Sequence, residues 1–332
     1  MATILGFLAC ALAIGVAGTY LSRYGDLVAR LTGLGGTWIG VVLLAVVTSL
    51  PELATGVSAV TVGHTPDIAV GDVFGACVFN LLYIVVLDFL VRGESVYTRA
   101  RQGHILAAGF GVILIGFAGF NVLLAGDGPH WALGHVGAYT PVIVVMYAVA
   151  MRTVFRYEAQ NREAAAEEAP RVRGVSLRRA LLGYAVAAMV VVAAAVALPF
   201  FGKALAAQMG WQESFVGTLF VAAATSLPEA VVTVAALRIG ALDMAIGNLF
   251  GSNLFNILIL ALDDLLYLKG PLLSHVSSVH AISALSAVMM SGVAVVGLFY
   301  RPRLRVFRTV GWASIALFVF YLLNAYILSL HD

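Results

Sequence analysis

The chain has 332 residues, 61% of them apolar and only 11% charged, with a formal net charge of +2. Soluble domains carry about 25% charged residues, so a soluble globular enzyme, a disordered chain and a nucleic-acid binder are excluded. A transmembrane helix takes roughly 20 apolar residues, and this composition has room for about ten.

Apolar runs, broken at Gly, Pro or charge clusters, fall at 2–22, 35–62, 67–91, 103–125, 131–153, 177–201, 212–237, 242–266, 272–299 and 307–329. They are too long for barrel strands and lack strand alternation, so ten membrane-spanning helices are expected. No basic residue precedes the first run, which reads as a retained span rather than a cleaved leader. Cys10 and Cys77 lie inside apolar runs, with neither a disulfide framework nor zinc spacing, and Cys77 is expected to serve packing. Most connections are short. The exception, 154–176, is rich in Arg, Glu and Ala and reads as a solvated cytoplasmic tether. It separates a first five-helix unit, 1–153, from a second, 177–332.

The basic residues orient this array. With the N-terminus outside, seventeen of the 19 Lys and Arg fall in inside loops, and only Lys203 and Lys269 fall outside. That asymmetry satisfies the positive-inside rule and places both termini outside. Five spans are an odd number, so the second unit enters the membrane inverted relative to the first.

The two units repeat each other. TSLPELATGVSAV from Thr48 matches TSLPEAVVTVAAL from Thr225, and GDVFGACVFNLLYIVVLD from Gly71 matches GNLFGSNLFNILILALDD from Gly247. Inverted repeats are a transporter signature, with substrate sites near the midplane on interrupted helices. Pro51 and Pro228 supply the interruption, because proline lacks an N–H and clashes with the carbonyl four residues back. Carbonyls around Ala45–Val47 and Ala222–Ala224 are expected to be freed, beside the hydroxyls of Thr48, Ser49, Thr225 and Ser226.

Glu52 and Glu229 follow the two prolines. An unpaired charge at the bilayer centre costs about 2.5–3.5 kcal/mol on insertion scales, so the two carboxylates call for a cation or protons. Hard oxygen ligands suit Ca²⁺, Na⁺ or Mg²⁺. In the second block, positions four apart share a helix face. Asp72, Ala76 and Asn80 line one face, and Asn248, Ser252 and Asn256 the matching one, a polar stripe fit to complete an ion site.

The pairing of TSLPE with G-(N/D)-x-x-G-x-x-x-x-N, twice and inverted, resembles the alpha repeats of the cation/calcium exchanger superfamily, especially the sodium/calcium exchangers. The resemblance implies an all-α membrane protein of ten helices in two inverted five-helix repeats, with helices 2 and 7 interrupted at Pro51 and Pro228. It implies alternating access across a central cluster of cation sites. By position, Glu52, Glu229, Thr48 and Thr225 match the family's calcium ligands. Ala45 and Ala222 (through carbonyls), with Ser49, Ser226 and Ser252, match its sodium ligands, and Asn80 and Asn256 match its facing polar pair. The chain departs from the pattern at Ala76, where the family usually has serine, at Val47 and Ala224, which replace glycine, and at Asp72, opposite Asn248 in the other copy.

Several of these residues have plainer readings. Asn80 and Asn256 could hydrogen-bond between helices; Thr48 and Thr225 could cap the broken halves. Asp72 reads as a solvated helix-start carboxylate or an outer cation attractor, Asp88 and Asp264 as interfacial charges. His64, His130, His135 and His275 fall in outer loops, and Trp131, Trp211 and Trp312 near interfaces. The spans hold neither a Ser–His nucleophile set nor an H-E-x-x-H pair, which argues against an intramembrane enzyme. The expected function is a secondary antiporter exporting Ca²⁺ against Na⁺, the alternative an H⁺-coupled exporter of Ca²⁺, Mg²⁺ or Mn²⁺ on the same scaffold. The ions are cargo, no cofactor or obligate protein partner is expected, and the expected location is a prokaryotic inner membrane.

Overall fold

The computed structural model describes residues 2–127, 131–160, 175–208, 223–302, 305–306 and 310–330. Among the described residues ten principal helices follow in order: α1 (Ala2–Thr32), α2 (Gly36–Gly63), α3 (Pro66–Leu90), α4 (Gly103–Asp127), α5 (Tyr139–Gln160), α6 (Leu177–Gln208), α7 (Leu227–Arg238), α8 (Leu242–Leu266), α9 (His280–Tyr300) and α10 (Trp312–Ser329). Eight of them, all but α5 and α7, are long and apolar enough to cross a membrane. Lipid offers no partner for backbone N–H and C=O groups, so these apolar sequences satisfy their own backbone as helices. Trp211 and residues 209–222, the expected first half of the seventh span, lie outside the described residues, as do His130 and most of the tether, 161–174.

The fifth span departs from expectation. Ala132–Leu133 and Val136–Gly137 pair as a two-residue hairpin, and the helix starts only at Tyr139. It then runs on to Gln160, so residues 154–160 are not tether. Glu158 in particular is buried. A Cβ on Gly35 or Gly103 would collide with its carboxylate, so α5 ends wedged between the entries to α2 and α4.

α8 is the central rod, with 89% of its apolar window buried against 22% for α1 and α10. It crosses α3 and lies against α2, α4, α5 and α7, while α1 packs along α6. Glycine permits the closest crossing. A Cβ on Gly247 would sit 2.7 Å from the Thr37 carbonyl oxygen, and one on Gly251 would sit 2.5 Å from Val41 Cα.

Loops predicted to share a membrane face do meet. Arg101 and His104 at the start of α4 bind Asp243 at the start of α8, and Thr98 donates to the Pro302 carbonyl at the end of α9. At the opposite end Asp67 accepts from Ser277 N–H and faces His280 Nε2 at 3.0 Å. These contacts are related by the repeat: Asp67, Arg101 and His104 lie 176 residues before Asp243, Ser277 and His280. Each His–Asp clasp joins one repeat to the other, one clasp at each end of the bundle.

Asp88 and Asp264 are not interfacial charges. Both are fully buried. Asp88 accepts from Ser95 Oγ (2.9 Å), Val96 N (2.9 Å), Gly311 N (2.7 Å) and Ser314 Oγ (2.8 Å). Asp264 accepts from Gly137 N (2.8 Å), Tyr139 Oη (2.6 Å), Thr140 Oγ1 (2.5 Å) and Leu272 N (2.7 Å). Each carboxylate ties the end of one central helix to the start of a peripheral one, α3 to α10 and α8 to α5. Four donors per carboxylate, two of them backbone N–H groups, offset the cost of burying the charge.

Candidate cation site

The site forms where α2 and α7 are disturbed. In α2 the disturbance is longer than the proline alone dictates. Ile39–Leu44 and Ala59–Gly63 are π-helical, a wider winding that recurs at functional sites. Between them the helix jogs at Ser49 (φ −91°, ψ 7°), and Ser226 (φ −81°, ψ 3°) does the same before α7. Pro51 and Pro228 each fall two residues after the jog, inside the first turn of the following helix, where a missing N–H is tolerated. The carbonyl deprived of its donor by Pro51 is therefore Val47's. Ala45's carbonyl is not freed: it accepts from Ser49 N at 3.0 Å and Thr48 Oγ1 at 3.3 Å. Ala222, its repeat mate, lies outside the described residues.

The two halves then interlock across the centre. Thr48 Oγ1 reaches Asn248 Oδ1 (3.3 Å) and Ser252 Oγ (3.4 Å) on α8, while Thr225 Oγ1 donates to Asp72 Oδ1 (3.0 Å) on α3. Asp72 and Asn248 occupy the same repeat position, so the two contacts are mates under the pseudo-twofold. Asp72 is buried, against the expectation of a solvated carboxylate. Neither threonine contact caps the following helix: the residues at the jogs are Ser49 and Ser226, and neither makes a side-chain cap.

Glu52 and Glu229 are each 1% exposed and close enough to interact electrostatically. Ser49 Oγ donates to Glu229 Oε1 at 3.0 Å. Among the described residues, both oxygens of Glu52, Oε2 of Glu229, Ser226 Oγ, Asn80 Oδ1 and the Asn256 amide are buried with no hydrogen-bond partner within 3.5 Å, and Ser226 lies near enough to Glu52 to act on its charge. Asn80 and Asn256 do not pair with each other. Asn80 Nδ2 donates to Asn253 Oδ1 at 3.0 Å, and Asn253 Nδ2 reaches the Cys77 carbonyl at 3.3 Å. The α3–α8 bridge is thus Asn80–Asn253, which turns the Asn80 oxygen free. Cys77 itself is buried in the core.

Buried oxygens are normally hydrogen-bonded, and these unpaired ones around two carboxylates are a set of donors that could hold a hard cation. Among the described residues no three His, Cys, Asp or Glu converge on one point, so any further ligand to a cation held between the two glutamates would be a neutral oxygen. Sequence reasoning missed Asn253, the clasp residues His104 and His280, and the burial of Asp88 and Asp264. The constant offset of 176 residues was the available signal for the clasps and for the aspartates.

Two buried glutamates beside matched helix jogs, on interlocking repeats of membrane helices, define a membrane transporter and not an enzyme. The chain belongs to the sodium/calcium exchanger protein family, whose model matches residues 2–155 and 179–327. It is 29% identical over 237 residues to the inner membrane protein YrbG of Escherichia coli, covering 70% of each chain. It is 52% identical over 60 residues to the sodium/calcium exchanger MaX1 of Methanosarcina acetivorans, covering 18% of this chain and 17% of that one. Its fold matches a solved structure of the sodium-calcium exchanger NCX_Mj, with a TM-score of 0.72, 20% identity and 97% coverage of each chain.

Proposed function

We propose that the protein is a secondary active antiporter that exports Ca²⁺ in exchange for Na⁺ by alternating access at a midplane site built on Glu52 and Glu229. The carrying observation is the group of buried oxygens on Glu52, Glu229, Ser226, Asn80 and Asn256 that find no partner within 3.5 Å among the described residues. Two carboxylates match the charge of one divalent ion. Thr48, Thr225, Ser49 and Ser252 are the proposed neutral ligands. Carbonyl, hydroxyl and amide oxygens hold either a partly dehydrated Ca²⁺ or Na⁺, so one cage serves both ions in turn. The membership of the sodium/calcium exchanger family supports this pair. The proposed location is a prokaryotic cell membrane, with both termini and Lys269 outside.

One observation favours a proton-coupled variant of the same cycle. Thr48 meets the Ser252 hydroxyl, but the repeat mate of Ser252 is Ala76, which has none. The Thr225 side of the cage is therefore short of one sodium ligand. Calcium uptake into proteoliposomes, driven by an imposed Na⁺ or an imposed H⁺ gradient, decides between the two. Glu52→Gln and Glu229→Gln are expected to abolish uptake under either gradient, with the protein still folded by size-exclusion chromatography. Near-wild-type uptake by either variant would remove the proposed site.

A further inference from the structure

One buried acid is used by neither the cage nor the fold. Asp263, near the end of α8, is 0% exposed, and neither of its oxygens has a hydrogen-bond partner among the described residues. Its neighbour in sequence, Asp264, is equally buried but is met by four donors. Asp263 instead lies flat against α2 at Gly56. A Cβ on Gly56 would fall 2.9 Å from both Cγ and Oδ1 of Asp263, and closer still to Oδ2. Gly56 is one helical turn beyond Glu52, and Asp263 is two turns beyond Asn256 on the same face of α8. The carboxyl group therefore sits on the flank of the cage, displaced towards the Lys269 end of the bundle.

The repeat shows that the fold does not require an acid there. The mate of Asp263 is Leu87, also fully buried, and the mate of Gly56 is Thr233, whose hydroxyl accepts from Asn248. At one end of the molecule a buried leucine stands in the acid's place. At the other end an acid fills it, and glycine makes the room. A carboxylate anion buried without a donor is costly, and one proton removes the charge without further ligands, whereas a metal ion needs several oxygens around it.

We propose that Asp263 is a proton-binding site that exchanges with solution only at the Lys269 face. With the carboxyl protonated, α8 packs against α2 at Gly56 and that half of the pathway is shut. When the O–H bond breaks, the proton passes to water on that face. The resulting carboxylate is hydrated, and the contact with Gly56 opens. Among the titratable groups on the elements packed here, Asp72 of α3 acts on Asp263 electrostatically. Glu52 lies one turn back on α2. Tyr139 of α5 is turned to Asp264 instead.

The transport part of the test rests on the antiport reading; the spectroscopic part does not. In proteoliposomes of known orientation, acidification at the Lys269 face is expected to slow calcium flux up to tenfold per pH unit, while acidification at the other face leaves that step untouched. Asp263→Asn, nearly isosteric, and Asp263→Leu, the residue of the other repeat, are each expected to flatten this one-sided profile relative to their own maxima. Infrared spectra of purified protein are expected to contain a protonated-carboxyl C=O band that both variants lack, whether or not calcium is carried. An unchanged band and an unchanged pH profile in either folded variant would overturn the proposal. A band lost from both variants, with a wild-type protein that moves no calcium, would uphold the proton site and refute the calcium antiport.

Discussion

Gly251→Ala tests whether the spacing of α2 and α8 sets the cage. The added methyl would lie 2.5 Å from Val41 Cα and 2.7 Å from the Val41 carbonyl carbon, where ordinary contact begins at 3.4 Å. The obstacle is backbone, so no rotamer change relieves it, and the helices must separate locally by about 0.9 Å or more. Thr48 lies two turns along α2 from Val41. Its contacts with Ser252 at 3.4 Å and Asn248 at 3.3 Å would stretch to roughly 4.2–4.3 Å, past hydrogen-bonding range. Overpacking of this kind costs about 1–3 kcal/mol, and misplacing reacting or binding groups by about 1 Å can lower a rate on the order of 100-fold. Calcium uptake is expected to fall by one to two orders of magnitude (~10–100-fold), with a lower melting temperature in detergent. Gly109→Ala and Gly111→Ala on α4, where a Cβ meets nothing within 4 Å, are the controls and are expected to behave as wild type. Wild-type uptake and melting in Gly251→Ala would refute the idea that backbone contact at this crossing positions Thr48.

Asp88→Ala and Asp264→Ala each leave four donors without their acceptor. At about 1–3 kcal/mol per buried orphan, both are expected to lower thermal stability severely, and a melting temperature within error of wild type would show the ties to be dispensable. Ala76→Ser is expected to strengthen the sodium dependence of calcium transport and steepen its concentration curve, and Ser252→Ala to weaken both; an unchanged sodium curve in an active Ala76→Ser would show that the missing hydroxyl does not set the coupling. A single cysteine at Lys269 is expected to react with an impermeant thiol reagent from outside intact cells, and one at Arg238 only after permeabilisation. The reverse pattern would invert the proposed orientation.

The architecture was legible in the sequence because lipid leaves a chain few options. An apolar run of sufficient length has to be helical, and two copies of a motif on an odd number of spans have to be inverted. Pro51 and Pro228 located the disturbed helices for an equally local reason, since a ring without an N–H acts on its own turn. Glu52 and Glu229 stood out because charge is so scarce in the spans. Tertiary structure decided which polar groups are satisfied. Nothing local distinguishes Asp263 from Asp264, yet among the described residues one meets no donor and the other meets four, because the donors come from α5 and from the turn before α9. In the same way Asn80 finds its partner in Asn253 rather than Asn256, and Asp72 is buried with Thr225 donating to it. Periodicity puts a side chain on a face of its own helix; what stands opposite depends on how the two repeats dock, and that geometry is fixed by close backbone contacts such as Gly251 against Val41.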